Sequence, residues 1–421
     1  MTFRFVHTAD VHLDSPLKSL ALRDADLPKA VDAATRVAFG RIVDLCLAEQ
    51  VDALLIAGDL YDGANASMKT AAFLAAELRR LPPEIHVFIL KGNHDARSGI
   101  TARLDLPDHV KTFDGRGQVH EFTSRTGAAV AIHGVSFSDP HAPESLLPKY
   151  KPPIEGAINV GLLQTSLDGA PGPDPYSPVA AADLAAHGFA YWALGHIHRR
   201  SVVQAGGACI VMPGIPQGRH VNEAGPKSVT LAAVAQDGAV RLEERRVAAV
   251  EFARLDLALD PDDADMEAAL AAAERALDRA STESDAEALI LRLAVTPPAA
   301  FEWRLRREEE LVAERVRVAA RQRGFWIEQV EIRAAARADA AAGWADLAEA
   351  LRDVLDDPGF RLARKEIADD FVRFLKSDTD LVNLLGEDAE AEASIHDGLA
   401  AEGVTEAIAR LAATNAPGDQ G

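Results

Sequence analysis

Apolar and polar positions along the first hundred residues follow a repeating order. Residues 3–8, from Phe3 to Thr8, alternate with the period of a strand. Between about 29 and 49, Val37, Ile42, Val43, Leu45 and Leu47 recur as on one face of a helix. Val51 to Ala57 is a short unbroken apolar run that predicts a buried strand, and it ends in Gly58-Asp59. A helix is predicted over 67–81, stopped by Pro82-Pro83. His86 to Leu90 reads as a further strand and runs into Lys91-Gly92-Asn93-His94-Asp95. Strand–helix–strand–helix–strand is the order of a layered α/β fold.

From 117 to 250 the pattern changes to short apolar strands, expected at 128–135, 157–163, 189–194, 201–204, 208–212 and 227–234. They predict a second sheet packed against the first. Residues 168–178 form a Pro/Gly-rich loop. Beyond 251 a separate small α/β unit is expected. It has strands at 252–257, 288–295 and 325–333 and helices at about 264–281 and 303–323. Residues 340–376 read as one or two amphipathic helices, followed by an acidic, partly disordered tail. The predicted domains are 1–250, 251–335 and 336–421.

Composition sharpens this outline in three ways. A chain of 421 residues is long for a single core and suggests two or three domains. The net charge of -21 is unevenly placed: 24 basic and 27 acidic residues fall in 1–250, and 20 basic and 38 acidic in 251–421. That balance counts against strong autonomous nucleic-acid binding, although bound dications can still hold phosphate at a local site. Residues 1–6 show neither a basic start nor an apolar leader, and no apolar run reaches the roughly 18 residues that span a bilayer. The expectation is a cytoplasmic protein without membrane contact. Cys46 and Cys209 sit among apolar residues, as buried reduced thiols do.

The chemistry is carried by four short motifs, each at the end of an apolar run: Asp10-Val11-His12, Gly58-Asp59-Leu60-Tyr61-Asp62, Gly92-Asn93-His94-Asp95 and Gly195-His196-Ile197-His198. The ends of strands are where open α/β sheets bind ligands. On extended backbone, the two outer side chains of Asp10-x-His12 or His196-x-His198 would point the same way and reach one metal or two adjacent ones. Asp, Asn and His donors without thiolates suit Mn²⁺, Fe²⁺ or Zn²⁺. Paired metals need a bridging carboxylate, for which Asp59 on its Gly-preceded turn is the natural candidate. His7, inside the first strand, reads as a buried hydrogen-bonding residue. Arg199 and Arg200 read equally well as contacts to a nucleic-acid backbone and as surface charge.

The series DxH, GDxxD, GNHD and GHxH resembles the calcineurin-like metallophosphoesterases. The opening run His7 to Pro16 looks like bacterial DNA repair exonucleases of the SbcD type, YhaO branch. Residues 158–163, 191–198 and 218–227 extend that likeness, which is dense over about 1–235. The resemblance implies a sandwich of two mixed sheets flanked by helices, with a small α/β capping domain and a helical C-terminal region. It implies two divalent metals, most naturally Mn²⁺: Asp10, His12, Asp59 and His198 on one, and Asp59, Asn93 and His196 on the other. It further implies that His94 protonates or stabilises the leaving oxygen and that Asp62 orients His94. From their own place in a Gly/Pro loop after a strand, Arg219 and His220 read either as contacts to substrate phosphate or as loop packing. DNA, a coiled-coil SMC-like ATPase and a second copy of the chain are the implied partners.

One position departs from the family. Where a histidine completes the second metal site, this chain has Gln164. Its amide oxygen is a weaker donor than imidazole. Three readings follow: Gln164 ligates with reduced affinity, the second site fills poorly or only with substrate, or the change is an engineered inactivation. The functional expectation is a DNA exo- or endonuclease weakened at that site. The alternatives are a hydrolase of nucleotides or other small phosphoesters, and an impaired DNA-end-binding scaffold.

Overall fold

The computed structural model describes residues 1–15, 33–61, 67–95, 106–139, 142–168, 176–260, 265–283 and 287–333, with a few isolated positions beyond. The expected helices and tail after 335 lie outside the described residues, apart from those isolated positions.

Two six-stranded mixed sheets dominate. The first has β1 (Thr2–Thr8), β2 (Ala53–Ala57), β3 (His86–Leu90), β4 (Val110–Thr112), β11 (Ser228–Ala235) and β12 (Val240–Arg246), in the order β12-β11-β1-β2-β3-β4. From β1 to β4 the pairing is parallel, and β11 joins antiparallel with His7 opposite Thr230. The second sheet has β5 (Gln118–Thr123), β6 (Ala129–Gly134), β7 (Ile158–Gln164), β8 (Tyr191–Gly195), β9 (Ser201–Ala205) and β10 (Ala208–Met212), in the order β5-β6-β7-β8-β10-β9.

Period-two side-chain alternation sorts the cores into layers. Phe3, Phe5, Ala53, Leu55 and Phe88 of the first sheet meet Val130, Ile132, Val160, Leu162 and Tyr191 of the second. The opposite face of the first sheet, with Val6, Leu54, Ile56, Val87 and Ile89, packs on helices α1 (Ala34–Ala48) and α2 (Met68–Arg79) through Phe39, Ile42, Leu74 and Leu78. Helix α2 begins with a capping box in which the Ser67 hydroxyl accepts from the Thr70 N–H. The outer face of the second sheet, with Leu163, Trp192, Leu194 and Ile210, packs on α3 (Ala181–Ala186) through Leu184. The result is the expected sandwich of two sheets with helices outside.

Two compact units emerge. One is Met1–Arg254 with Ser284–Leu291 and Gly324–Glu328, and the other is built on Leu255–Glu283 and Arg292–Arg323. The last three strands, β13 (Val250–Ala258), β14 (Ala288–Thr296) and β15 (Phe325–Ile332), form a third sheet in chain order. In the second unit, helix α4 (Met266–Glu283) packs on α6 (Glu309–Gln322). The single helix expected over 303–323 is two, α5 (Ala299–Arg307) and α6, parted at Glu308. Glu308 leaves the helical conformation (φ −107°, ψ 19°), and Glu309 and Glu310 fall in the first turn of α6, beside its positive dipole end. Among the described residues, no helix is long and apolar enough to cross a membrane.

Candidate metal centre

All four motifs converge where strands of the two central sheets end. Strand β1 stops at Thr8, so Asp10 and His12 sit on a loop rather than on extended backbone as the motif spacing suggested. That loop is laced to the one after β2: Asp10 N–H donates to Gly58 O at 2.9 Å, His12 N–H to Asp59 O at 3.1 Å and Leu13 N–H to Leu60 O at 3.0 Å. Asp10, His12, Asp59 and His196 all have positive φ, at 51°, 45°, 49° and 101°. Left-handed backbone costs a non-glycine residue on the order of 1 kcal/mol or more and persists where its surroundings enforce it. Here it turns the side chains inward, replacing the strand alternation inferred from the sequence.

Asp10, His12 and His198 bring one ligand atom each to within 4.8 Å of one another. His12 Nε2 faces His198 Nε2 at 3.3 Å. The Asp10 carboxylate is fully buried and accepts the His196 N–H through both oxygens, at 3.0 and 2.9 Å. Asp59 Oδ1 accepts the His94 N–H at 3.0 Å, and the His94 ring stands perpendicular to that of His12 with centroids 5.1 Å apart. His196 lies against Tyr176, with ring centroids 4.9 Å apart.

On the far side of Asp59, Gln164 ends β7. It is fully buried, and its Nε2 donates to Asn93 Oδ1 at 3.2 Å. Its Oε1 is buried without a hydrogen-bond partner. Space for this amide exists only because two neighbours are glycines. A Cβ on Gly92 would lie 1.8 Å from Gln164 Oε1 and 2.2 Å from Asp59 Oδ1, and one on Gly58 would lie 2.2 Å from Gln164 Oε1.

Electrostatics argue for a cation here. Burial first, then the nearby Asp59, pushes the Asp10 carboxyl well above its ordinary range. Asp59 is pushed up to about 7, first by burial and then by Asp95. Asp95 is raised mainly by burial, and its carboxylate ties the loops together by accepting from Leu60, Tyr61 and Gly92 N–H groups. His196 is lowered to about 4, by burial and then by His198 and His94. Three buried carboxyls gathered with imidazoles, with an orphaned amide oxygen, fit a donor set that bound dications would complete. His7 is not part of it. Its ring bonds Tyr191 Oη at 3.0 Å and Leu194 O at 3.1 Å, between the sheets.

Glu223 is the residue that the motif reading missed. Its Oε1 lies 2.7 Å from His198 Nδ1, 25 residues away in sequence. Burial opposes its ionisation, but hydrogen bonds from His198 and Arg219 outweigh that and hold it well below the usual carboxylate range. Arg219 lies on this glutamate, with Nη2 3.0 Å from Oε1, and His220 Nε2 is 3.8 Å from the same oxygen. Nothing in the spacing of an isolated loop acid announces such a contact. Asp62 lies outside the described residues. Beside His198 opens a cleft of about 690 Å³ lined in part by Arg199, Arg200, Lys227 and Glu244.

Residues 3–200 match the family described as Calcineurin-like phosphoesterase. This part of the chain is a calcineurin-like phosphoesterase domain. Such domains use divalent metals, and the Asp10–His12–His198 cluster is the candidate site for them in this one. Residues 252–335 match the middle domain of metallophosphoesterase YhaO. The chain is 34% identical over 232 residues to the uncharacterized metallophosphoesterase YhaO of Bacillus subtilis, covering 55% of this chain and 57% of that protein. It is 27% identical over 209 residues to the DNA double-strand break repair protein Mre11 of Methanopyrus kandleri, 46% of this chain and 44% of that one. A 110-residue stretch is 34% identical to a component of the nuclease SbcCD of Rhodobacter capsulatus, 25% and 24% of the two chains. The matches therefore span 57% of the length of YhaO, under half of Mre11 and about a quarter of the SbcCD component.

Proposed function

We propose that the protein is a two-metal phosphodiesterase that cleaves DNA, with Mn²⁺ as its working metal. The observation that carries this reading is the convergence of buried Asp10 and His12 with half-buried His198, flanked by Asp59 and Asn93. Relatives named as a break-repair protein and a nuclease support DNA as the substrate.

In this reading Asp10, His12, Asp59 and His198 hold one ion, and Asp59, Asn93, Gln164 and His196 the other. When bound, the ions polarise the phosphoryl oxygens and ease deprotonation of water. His94, anchored through its N–H to Asp59, protonates the leaving oxygen, with Asp62 assigned to orient it. Asp95 keeps the two loops in register, so Asp59 and His94 move as one body. Arg199, exposed at the cleft, and Lys227 neutralise flanking phosphates. Arg219 and His220 complete the substrate side from their place around Glu223. Residues 1–250 form the catalytic domain, 251–335 the cap that shapes access for DNA, and 336–421 the docking region for a coiled-coil ATPase. Homodimerisation and a cytoplasmic location belong to the same reading.

A second reading, a DNA-end-binding scaffold with weak chemistry, is favoured by one contact. Gln164 donates to Asn93 Oδ1, the oxygen that would otherwise serve the second ion. The deciding experiment measures Mn²⁺ per chain and hydrolysis of bis-p-nitrophenyl phosphate, nucleotides and DNA, for the wild type and Gln164→His. Two ions and DNA cleavage in both proteins support the nuclease. Cleavage of nucleotides but not DNA overturns the substrate. One ion in the wild type, with cleavage confined to Gln164→His, selects the scaffold.

A further inference from the structure

The loop that follows β10 does more than cover His198. Ile215 N–H donates to His198 O at 3.3 Å, which ties this loop to the backbone of the imidazole. Gln217 is fully buried. Its Oε1 accepts from the Ala249 and Val250 N–H groups at 2.9 and 3.2 Å, and its Nε2 donates to Val250 O at 2.7 Å. Gly225 N–H donates to Phe252 O at 2.7 Å. Between these anchors a single turn, Val221–Glu223, delivers the Glu223 carboxylate. Its side chain is 8% exposed. Oε1 meets His198 Nδ1 at 2.7 Å, and Oε2 accepts the Arg219 N–H at 2.7 Å. The carboxylate therefore has both oxygens committed and a fixed place.

We infer that Glu223 is a positioning residue that fixes the tautomer and the ring plane of His198, so that the Nε2 lone pair faces Asp10 and His12. A carboxylate can only accept, so Nδ1 carries the proton and Nε2 is the bare nitrogen of the neutral ring. That bare nitrogen lies 3.3 Å from His12 Nε2, on the side where the cluster's donors converge. Carboxylate support of this kind raises a ligand's basicity and removes the cost of reorienting the ring when an ion arrives. Arg219 braces the pair. Its Nη2 lies 3.0 Å from Glu223 Oε1 and 3.3 Å from His198 Nδ1, against the shorter 2.7 Å contact between the acid and the ring. No equivalent carboxylate meets a ring nitrogen of His196 among the contacts described, so the support is asymmetric between the two imidazoles of the H-x-H motif.

The inference rests on the metal reading of the cluster, and its test separates the two. The full-length chain is compared with Glu223→Gln and Glu223→Ala. Nitrogen-15 histidine NMR of the chelator-treated proteins reads the His198 tautomer, assigned with His198→Asn. Mn²⁺ titration followed by electron paramagnetic resonance reads affinity and stoichiometry. The expected result is one His198 tautomer with bare Nε2 in the wild type and a mixture in both variants. Mn²⁺ binding at the tighter site should weaken by about 10–100-fold, less for Glu223→Gln than for Glu223→Ala. An unchanged tautomer and unchanged affinity in the isosteric Glu223→Gln would overturn it, and that variant decides if Glu223→Ala fails to fold. A wild type that takes up no Mn²⁺, yet shows a tautomer set by Glu223, would sink the metal reading and leave the positioning role standing.

Discussion

The two halves of the site are built from different chemistry. Around His198 two donors are backed by another group: Asp10 by the His196 N–H and His198 by Glu223, which Arg219 braces in turn. Around Asn93 the corresponding position is a neutral amide, Gln164, that spends its N–H on a neighbouring donor and leaves its oxygen without a partner. The first half presents oriented donors. In the second, Gln164 and Asn93 are turned toward each other. The contrast teaches that a motif can keep most of its letters while its donor groups differ in how firmly they are oriented.

The sharpest way to break the comparison is to remove what both halves share. Asp59→Asn should lower hydrolysis of bis-p-nitrophenyl phosphate roughly 10³-fold, because it deletes the one carboxylate set between the two donor groups. Retention of more than a tenth of the activity would show that the halves work independently. Gly92→Ala presses on the second half and on the shared Asp59 together. Its Cβ must displace Gln164 Oε1 and Asp59 Oδ1, so the protein should hold one Mn²⁺ per chain and lose about 100-fold in activity. Elemental analysis that still finds two ions would contradict this. Gln164→His should sharpen the comparison in the other direction, with a gain of about tenfold in activity at limiting Mn²⁺.

Acidification gives a similar-sized effect. Asp59 is held up to about 7, so it stays protonated below that pH and must release a proton to take a cation. Calorimetry should therefore show Mn²⁺ affinity falling by about tenfold or more per pH unit below 7, since the raised Asp10 carboxyl must give up its proton too. The smallest expected change comes from Arg199→Ala, at the cleft beside His198. It should weaken DNA binding a few-fold, reduce the salt slope by about one, and leave hydrolysis of a small diester unaltered.

Much of this was legible beforehand because the signals were dense and local. Buried strands such as Val51 to Ala57 and His86 to Leu90 announce themselves by unbroken apolar runs, and each ends in a donor motif. Strands β5 and β12 were not anticipated. They are half-exposed edge strands, and Gln118, His120 and Glu121 or Arg241, Glu243 and Glu244 carry no apolar run. The left-handed backbone at Asp10 and His12 was equally hidden, because no glycine marks these positions and a tertiary ladder between two loops enforces it. Glu223 was invisible for a third reason. Its partner is distant in sequence, and a lone loop acid has no spacing to read.

Those left-handed turns bear on how the chain would change once its chemistry ceased to matter. Asp10, His12, Asp59 and His196 each hold a conformation that glycine adopts without strain. Replacement by glycine at such a position removes a donor and relaxes the backbone together. Drift under demand for solubility alone would therefore erode the site from within and leave the sandwich intact. A lineage that keeps side chains at all four positions is one in which selection still reads the site.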